Sequence, residues 1–173
     1  MISFIDGDRA LGLQNKASDA NTQNTGLGFF AGYNNVTGTN NTYVGFEAGK
    51  GATGQSNSNN TGVGKDALKV VTTGGYNVAI GQNAGDSITD GQTNVIIGAE
   101  TGDGTTSVRK ATIVGQNAAR ANMTTAANGT VAIGAESLAA LTTGGFNTAV
   151  GFEAGEANTV GSCLLYTSDA ADE

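Results

Sequence analysis

A chain of 173 residues has room for one ordinary domain or for a stack of small repeats. It carries 28 glycines and no proline, histidine or tryptophan, and only 13% of its residues are charged. The lack of histidine removes the commonest general base and metal ligand, and the single cysteine, Cys163, excludes an intrachain disulfide. A formal charge of −7 argues against nucleic-acid phosphates as a partner, and no apolar run approaches the ~20 residues of a membrane span. The opening MISFIDGDRALG lacks a basic segment followed by a long apolar stretch, so no secretory signal is read there. This inventory predicts no enzyme, no cofactor and no metal centre.

In chain order, residues 1–23 are expected to form an N-terminal cap or a degenerate coil, with Ala10-Leu11-Gly12 placed nearly one unit before Gly28. From 24 to 162 one unit recurs: NTGLG, NTYVG, NTGVG, NVAIG, NVIIG, ATIVG, TVAIG and NTAVG. Their last glycines are Gly28, Gly45, Gly64, Gly81, Gly98, Gly115, Gly134 and Gly151. Successive glycines differ in number by 17 or 19, and those four units apart differ by 70. Eight coils therefore form two copies of a four-coil super-repeat, echoed in VTTGGYN before Val78 and LTTGGFN before Thr148.

Counting from that glycine, position −1 is aliphatic in every unit, from Leu27 to Val150, and position −3 is threonine or valine, from Thr25 to Thr148. Position +3 is small, from Ala31 to Ala154. β-Branched and aliphatic residues alternating over a short run read as a strand with one face inward. A single unit cannot bury enough to fold alone: two or three aliphatics give ~1.5–3 kcal/mol each, against ~1–2 kcal/mol of backbone entropy per residue. Stacked in register, the units share a core and main-chain hydrogen bonds. The expected fold is all-β, a parallel β-roll or β-solenoid of eight coils.

Position −4 holds Asn24, Asn41, Asn60, Asn77, Asn94 and Asn147, with Ala111 and Thr130 interrupting, which predicts a stacked amide ladder at a corner. Position −2 should face away from −1 and −3. Its occupants, Gly26, Tyr43, Gly62, Ala79, Ile96, Ile113, Ala132 and Ala149, are uncharged. With −1 and −3 taken as the core, this column is expected outside and covered by an identical chain: an oligomer face of Tyr43, Ala79, Ile96, Ile113, Ala132 and Ala149, threefold in the simplest case.

Few motifs carry chemistry. Gly49-Lys50-Gly51-Ala52-Thr53-Gly54 matches a dinucleotide fingerprint but has no helix behind it, and reads as a turn. Carboxylates at +2, with Glu47 beside Asp66 and Glu136 beside Glu153, are the candidate oxygen ligands for a weak cation, set against a solvated acidic stripe. Position +5 alternates in charge, and pairs Lys69 with Asp86 and Asp103 with Arg120.

Residues 163–173, CLLYTSDAADE, break the unit midway. They resemble the in-frame translation of a transposase-type sequencing adapter, which implies a non-native tail and a native chain that continues after Ser162.

NTAVGFEAG, NVAIGQNAG and NTYVGFEAG resemble the head repeats of YadA-like trimeric autotransporter adhesins. They resemble still more the longer NTAVG-type repeats of phage tail-fibre and other surface-fibre proteins. The resemblance spans 24–162 and implies a left-handed β-roll, a homotrimer, and a passive shaft on a virion or bacterial surface. Any receptor or glycan would then be held by a domain outside this segment. The units are longer than the usual adhesin head unit, and neither a coiled-coil stalk nor an anchor is present, which favours the fibre over the adhesin. A polysaccharide-cleaving solenoid would need a carboxylate groove. An ice-binding solenoid would need threonine rows facing solvent, and the threonines are expected on the core face.

Overall fold

The hydrogen-bonding groups of a three-residue strand can be satisfied only by neighbours above and below, so each coil depends on the next. The computed structural model describes the backbone of residues 3–6 and 9–12, and residues 23–54 and 56–167 in full. Nine parallel strands stack in chain order into one sheet: β3 (Thr25–Leu27), β4 (Thr42–Val44), β5 (Thr61–Val63), β6 (Val78–Ile80), β7 (Val95–Ile97), β8 (Thr112–Val114), β9 (Val131–Ile133), β10 (Thr148–Val150) and β11 (Leu165–Thr167). The register keeps each column of the repeat aligned, for example Ala79 on Ile96 and Ile96 on Ile113. The protein is a parallel β-solenoid of about eight turns.

The repeat glycines close the strand. Their φ lies between +132° and +138°, where a side chain is strained. A Cβ on Gly98 would sit 2.7 Å from the carbonyl oxygen of Gly115 one coil on. The following amides continue the axial ladder, with Gly45 donating to Leu27 and Gly64 to Val44, both at 2.8 Å.

The two faces of the strand are the reverse of the sequence expectation. The −2 column is the core: Tyr43, Ala79, Ile96, Ile113, Ala132 and Ala149 are all at most 1% exposed, so none of them can form an oligomer face. The −1 and −3 columns face outward, with Ile80 at 40%, Ile97 at 36% and Val150 at 45% exposure. The physical reason is volume. The wall opposite the strand carries Ala31, Ala48, Ala67, Ala84, Ala118 and Ala154 at close quarters, and all are buried, so the strand column admits mostly glycine and alanine, and larger buried side chains such as Val71, Ile88, Val108, Met123 and Leu141 come from the rest of the coil.

Where a large residue enters, glycine yields space. Tyr43 is flanked in its column by Gly26 and Gly62, and a Cβ on Gly49 or Gly62 would strike its ring. Gly85 and Gly102 make the same room for Ile96 and Ile113. Leu68 and Leu138 fill the equivalent position and are fully buried; there the −2 column holds only Gly62, Ala79, Ala132 and Ala149.

At the N-terminus, β1 (Ser3–Asp6) and β2 (Arg9–Gly12) pair antiparallel in a sheet of their own. Ala10-Leu11-Gly12 therefore adds no parallel coil, and the rest of the expected cap, at 13–22, lies outside the described residues. At the other end, β11 carries the expected tail into the sheet, with Leu164 N–H donating to Asn147 Oδ1 at 3.0 Å. The open edge of β10 offers main-chain partners that any proline-free segment can take, so this pairing follows from the edge and not from the repeat. Residues 168–173 lie outside the described residues.

The packing predicts a contrast between two glycines of one turn. Gly49→Ala should destabilise the roll by about 2–4 kcal/mol, through overpacking against Tyr43 and a φ of +56°. Gly54→Ala, with nothing within 4 Å, should cost only about 1–2 kcal/mol from its left-handed φ. Denaturant unfolding followed by circular dichroism checks both.

Candidate functional site: the outer sheet face and its flanks

The asparagine column is a continuous interior network. Asn41, Asn60, Asn77 and Asn94 are at most 1% exposed. The Nδ2 of each donates to the preceding Oδ1 at 3.0, 3.3, 3.1 and 2.9 Å. Each also donates to a carbonyl across the coil, as Asn77 does to Gly91 at 2.9 Å, and each Oδ1 accepts the next main-chain amide. Asn24 begins the row and Asn94 ends it on the amide of Ala111. Thr130 turns its hydroxyl to Ala127, and Asn147 restarts the pattern. The polar atoms of this row are thus met within the protein, and the row presents nothing to a ligand.

Position +2 has the backbone in the left-handed region, with φ between 53° and 60° from Phe30 to Glu153, a conformation asparagine tolerates and acidic residues bear at a cost. Of the candidate cation ligands, Glu47 and Asp66 are bridged by a lysine. Lys69 Nζ lies 3.1 Å from Glu47 and 3.2 Å from Asp66, and Lys50 adds a 2.8 Å contact to Glu47. An ammonium therefore occupies the place a metal would take. Lys69 does not pair with Asp86, as the charge row had suggested. Glu136 and Glu153 are drawn into no group of three ligands, and among the described residues no such group exists. The Gly49–Gly54 string is a turn with no helix after it.

What the sequence reading missed is the surface itself. The outer face presents two columns of Thr, Val, Ile and Leu on nine strands, roughly 38 Å by 10 Å at ~4.8 Å per strand and ~3.3 Å per residue, without a charged residue. Thr25 and Thr42 are exposed, and Thr61, Thr112 and Thr148 are partly so. The threonine rows therefore face solvent, contrary to expectation. At +1 the two end regions carry exposed aromatics: Phe29 and Phe46 stack with centroids 5.8 Å apart, and Phe152 is exposed, while Lys65, Gln82, Ala99, Gln116 and Ala135 stand between them. Phe30 packs edge-on to Tyr33 at 4.7 Å, with Lys50 Nζ 5.4 Å from the centre of its ring. The anticorrelated sizes of columns −2 and +4 were the signal that could have identified the inner face.

The charge cluster has a pH signature. The hydrogen bonds from Lys50 and then Lys69 hold the Glu47 carboxyl below the usual range, so its contribution is present above its ordinary titration range and is lost as pH falls through the lowered value. Asp86 works in the opposite sense. Burial pushes it up, reinforced by Asp103, so it favours the fold at low pH and opposes it as pH rises. Because the Glu47 contribution is lost on acidification, Lys69→Met should lower Tm at pH 7 and lower it less at pH 3. Asp86→Asn should raise Tm at pH 7 and leave it unchanged at pH 3.

The ladder gives a second prediction. Asn77→Ala strands the Gly91 carbonyl, the Asn94 amide and the facing side-chain amides, and should cost about 3 kcal/mol by denaturant unfolding. No protein-family model, no curated protein and no solved structure matches this chain.

Proposed function

We propose that this chain is a non-catalytic structural segment of a homotrimeric fibre, of the phage tail-fibre type, whose role is to space or present a receptor-binding part. The observation that carries the proposal is the uncharged outer face of β3–β10, where aliphatic side chains such as Ile80, Ile97 and Val150 stand in solvent. The −1 column is aliphatic in all eight coils, from Leu27 to Val150, and forms an unbroken apolar stripe of the kind that marks an interaction surface. A second copy covers it most economically, since every copy carries the same face. The threefold arrangement and the fibre role rest on the likeness of NTAVGFEAG and its fellows to fibre repeats; the head of a bacterial adhesin is the nearest alternative. Both place the chain outside the cell.

A second reading, ice binding, is favoured by one specific observation: Thr25, Thr42, Thr61, Thr112 and Thr148 lie on that outer face beside an aliphatic column. It now ranks ahead of polysaccharide cleavage, whose carboxylate pair at Glu47 and Asp66 is neutralised by Lys69.

Light scattering coupled to size exclusion tests the assembly. The expected mass is three times that of the 17.1 kDa chain, and Ile97→Lys should return it to that of one chain with the fold retained. A wild-type monomer that depresses the freezing point below the melting point of ice would overturn the fibre reading in favour of the second.

A further inference from the structure

The corner sequence Thr-Thr-Gly-Gly-aromatic-Asn occurs twice, at 72–77 and 142–147. Packing accounts for most of its residues. The hydroxyls of Thr72 and Thr142 donate to the carbonyls of Thr89 and Thr159 at 2.9 and 3.0 Å, and the amides of Thr73 and Thr143 reach the same carbonyls at 3.2 Å. Gly74 and Gly144 lie against the backbones of Gly91 and Gly161, and Gly75 and Gly145 against Ser58 and Asn128, so closely that a Cβ would collide. Asn77 and Asn147 belong to the interior ladder.

The aromatic ring is left largely in solvent. Tyr76 and Phe146 are 66% and 69% exposed, on left-handed backbone with φ of 60° and 62°. Such a position suits the Asn40 and Asn59 of the same column far better. Thr93 and Lys110 of that column share the same backbone, with φ of 60° and 58°, so the conformation belongs to the coil; what sets the two positions apart is a solvent-facing ring, placed twice with the same spacing.

The surroundings identify the chemistry. Tyr76 stands between Asn59 and Thr93, one coil to either side, and Thr73 beside it is exposed. The Phe146 ring lies over Gly129, whose missing Cβ leaves room for it. A flat apolar ring bordered by amides and hydroxyls matches a pyranose, which offers a C–H face for stacking and hydroxyls around its edge. Between the two rings the same column carries Thr93, Lys110 and Gly129, with the first two exposed, so the strip is polar and holds no carboxylate. Four coils separate the two rings, ~19 Å at ~4.8 Å per coil, so one polymer can engage both and gain avidity from the second contact. We propose that Tyr76 and Phe146 form a paired stacking site for a polysaccharide, on the shaft itself and apart from any tip.

Affinity electrophoresis of the full chain through gels containing dextran, mannan, galactan or β-1,3-glucan tests this. At least one polymer should retard the wild type. Tyr76→Ala and Phe146→Ala should each weaken the retardation, the double variant should lose ~10²-fold or more in apparent affinity, and Tyr76→Phe should retain it, all with unchanged circular dichroism. Ile97→Lys should be retarded like the wild type, because both rings lie on one chain; that separates this site from the assembly of the fibre. Equal mobility of the wild type and the double variant in all four gels overturns the proposal. So does a double variant that loses solution mass while keeping its retardation, because the rings would then belong to a contact between copies.

Discussion

The narrowness of the space between the strand and the wall opposite it governs this molecule. Coils that stack at strand spacing and turn back after a few residues leave an interior one small side chain deep. Ala31, Ala48, Ala67, Ala84, Ala118 and Ala154 line one wall with almost no exposure. The glycine at each strand end has φ beyond +130°, with the next coil where a Cβ would go. Large residues enter the strand column where glycines make room, as at Tyr43, Ile96 and Ile113. The aliphatic residues of the −1 column are left facing outward.

That constraint ties the core to the surface. In an ordinary half-buried sheet the larger apolar residues mark the inside. Here the rule inverts along the strand: the outward columns carry valine, isoleucine and threonine, while the inward column is mostly glycine and alanine, and the buried bulk comes from the rest of the coil, such as Leu68, Val71, Ile88, Met123 and Leu141, beside a buried amide row. The amide ladder compensates for the thin apolar core: each buried asparagine joins the side chain before it, a carbonyl across the coil and the amide after it. Hydrogen bonding and close backbone packing hold the coils in register, and the hydrophobic surplus is left for another surface. The Tyr43 phenol follows the same logic. It donates to Asn57 Oδ1 at 2.6 Å in the middle of the core, and burial pushes its pKa far above the ordinary value, so it stays a neutral donor.

The periodicity was legible because identical neighbours impose it. Gly28 through Gly151 and Asn24 through Asn147 mark each coil, and the strands follow from the alternation around Ala79 or Ile96. The direction of the faces was not read correctly, because alternation says which residues share a side but not which side is closed. Side-chain volume decides that: Tyr43 next to Gly26 and Gly62 makes sense only in a confined column. The carboxylate pair at Glu47 and Asp66 looked available because the reach of Lys69 back to the preceding coil depends on side-chain conformation, which no spacing rule contains. Tyr76 and Phe146 stood out as equivalent positions of the super-repeat, but their exposure became visible only once the corner was built.

A pair of charge substitutions at adjacent positions of β8 tests the central assignment of the faces most directly. Ile113 is fully buried and Val114 faces outward. Thermal unfolding of Ile113→Lys and Val114→Lys should show the cooperative transition abolished in the first and retained in the second. Retention in Ile113→Lys with loss in Val114→Lys would mean that the large aliphatics form the core after all, and the account of this fold and its outer face would be wrong.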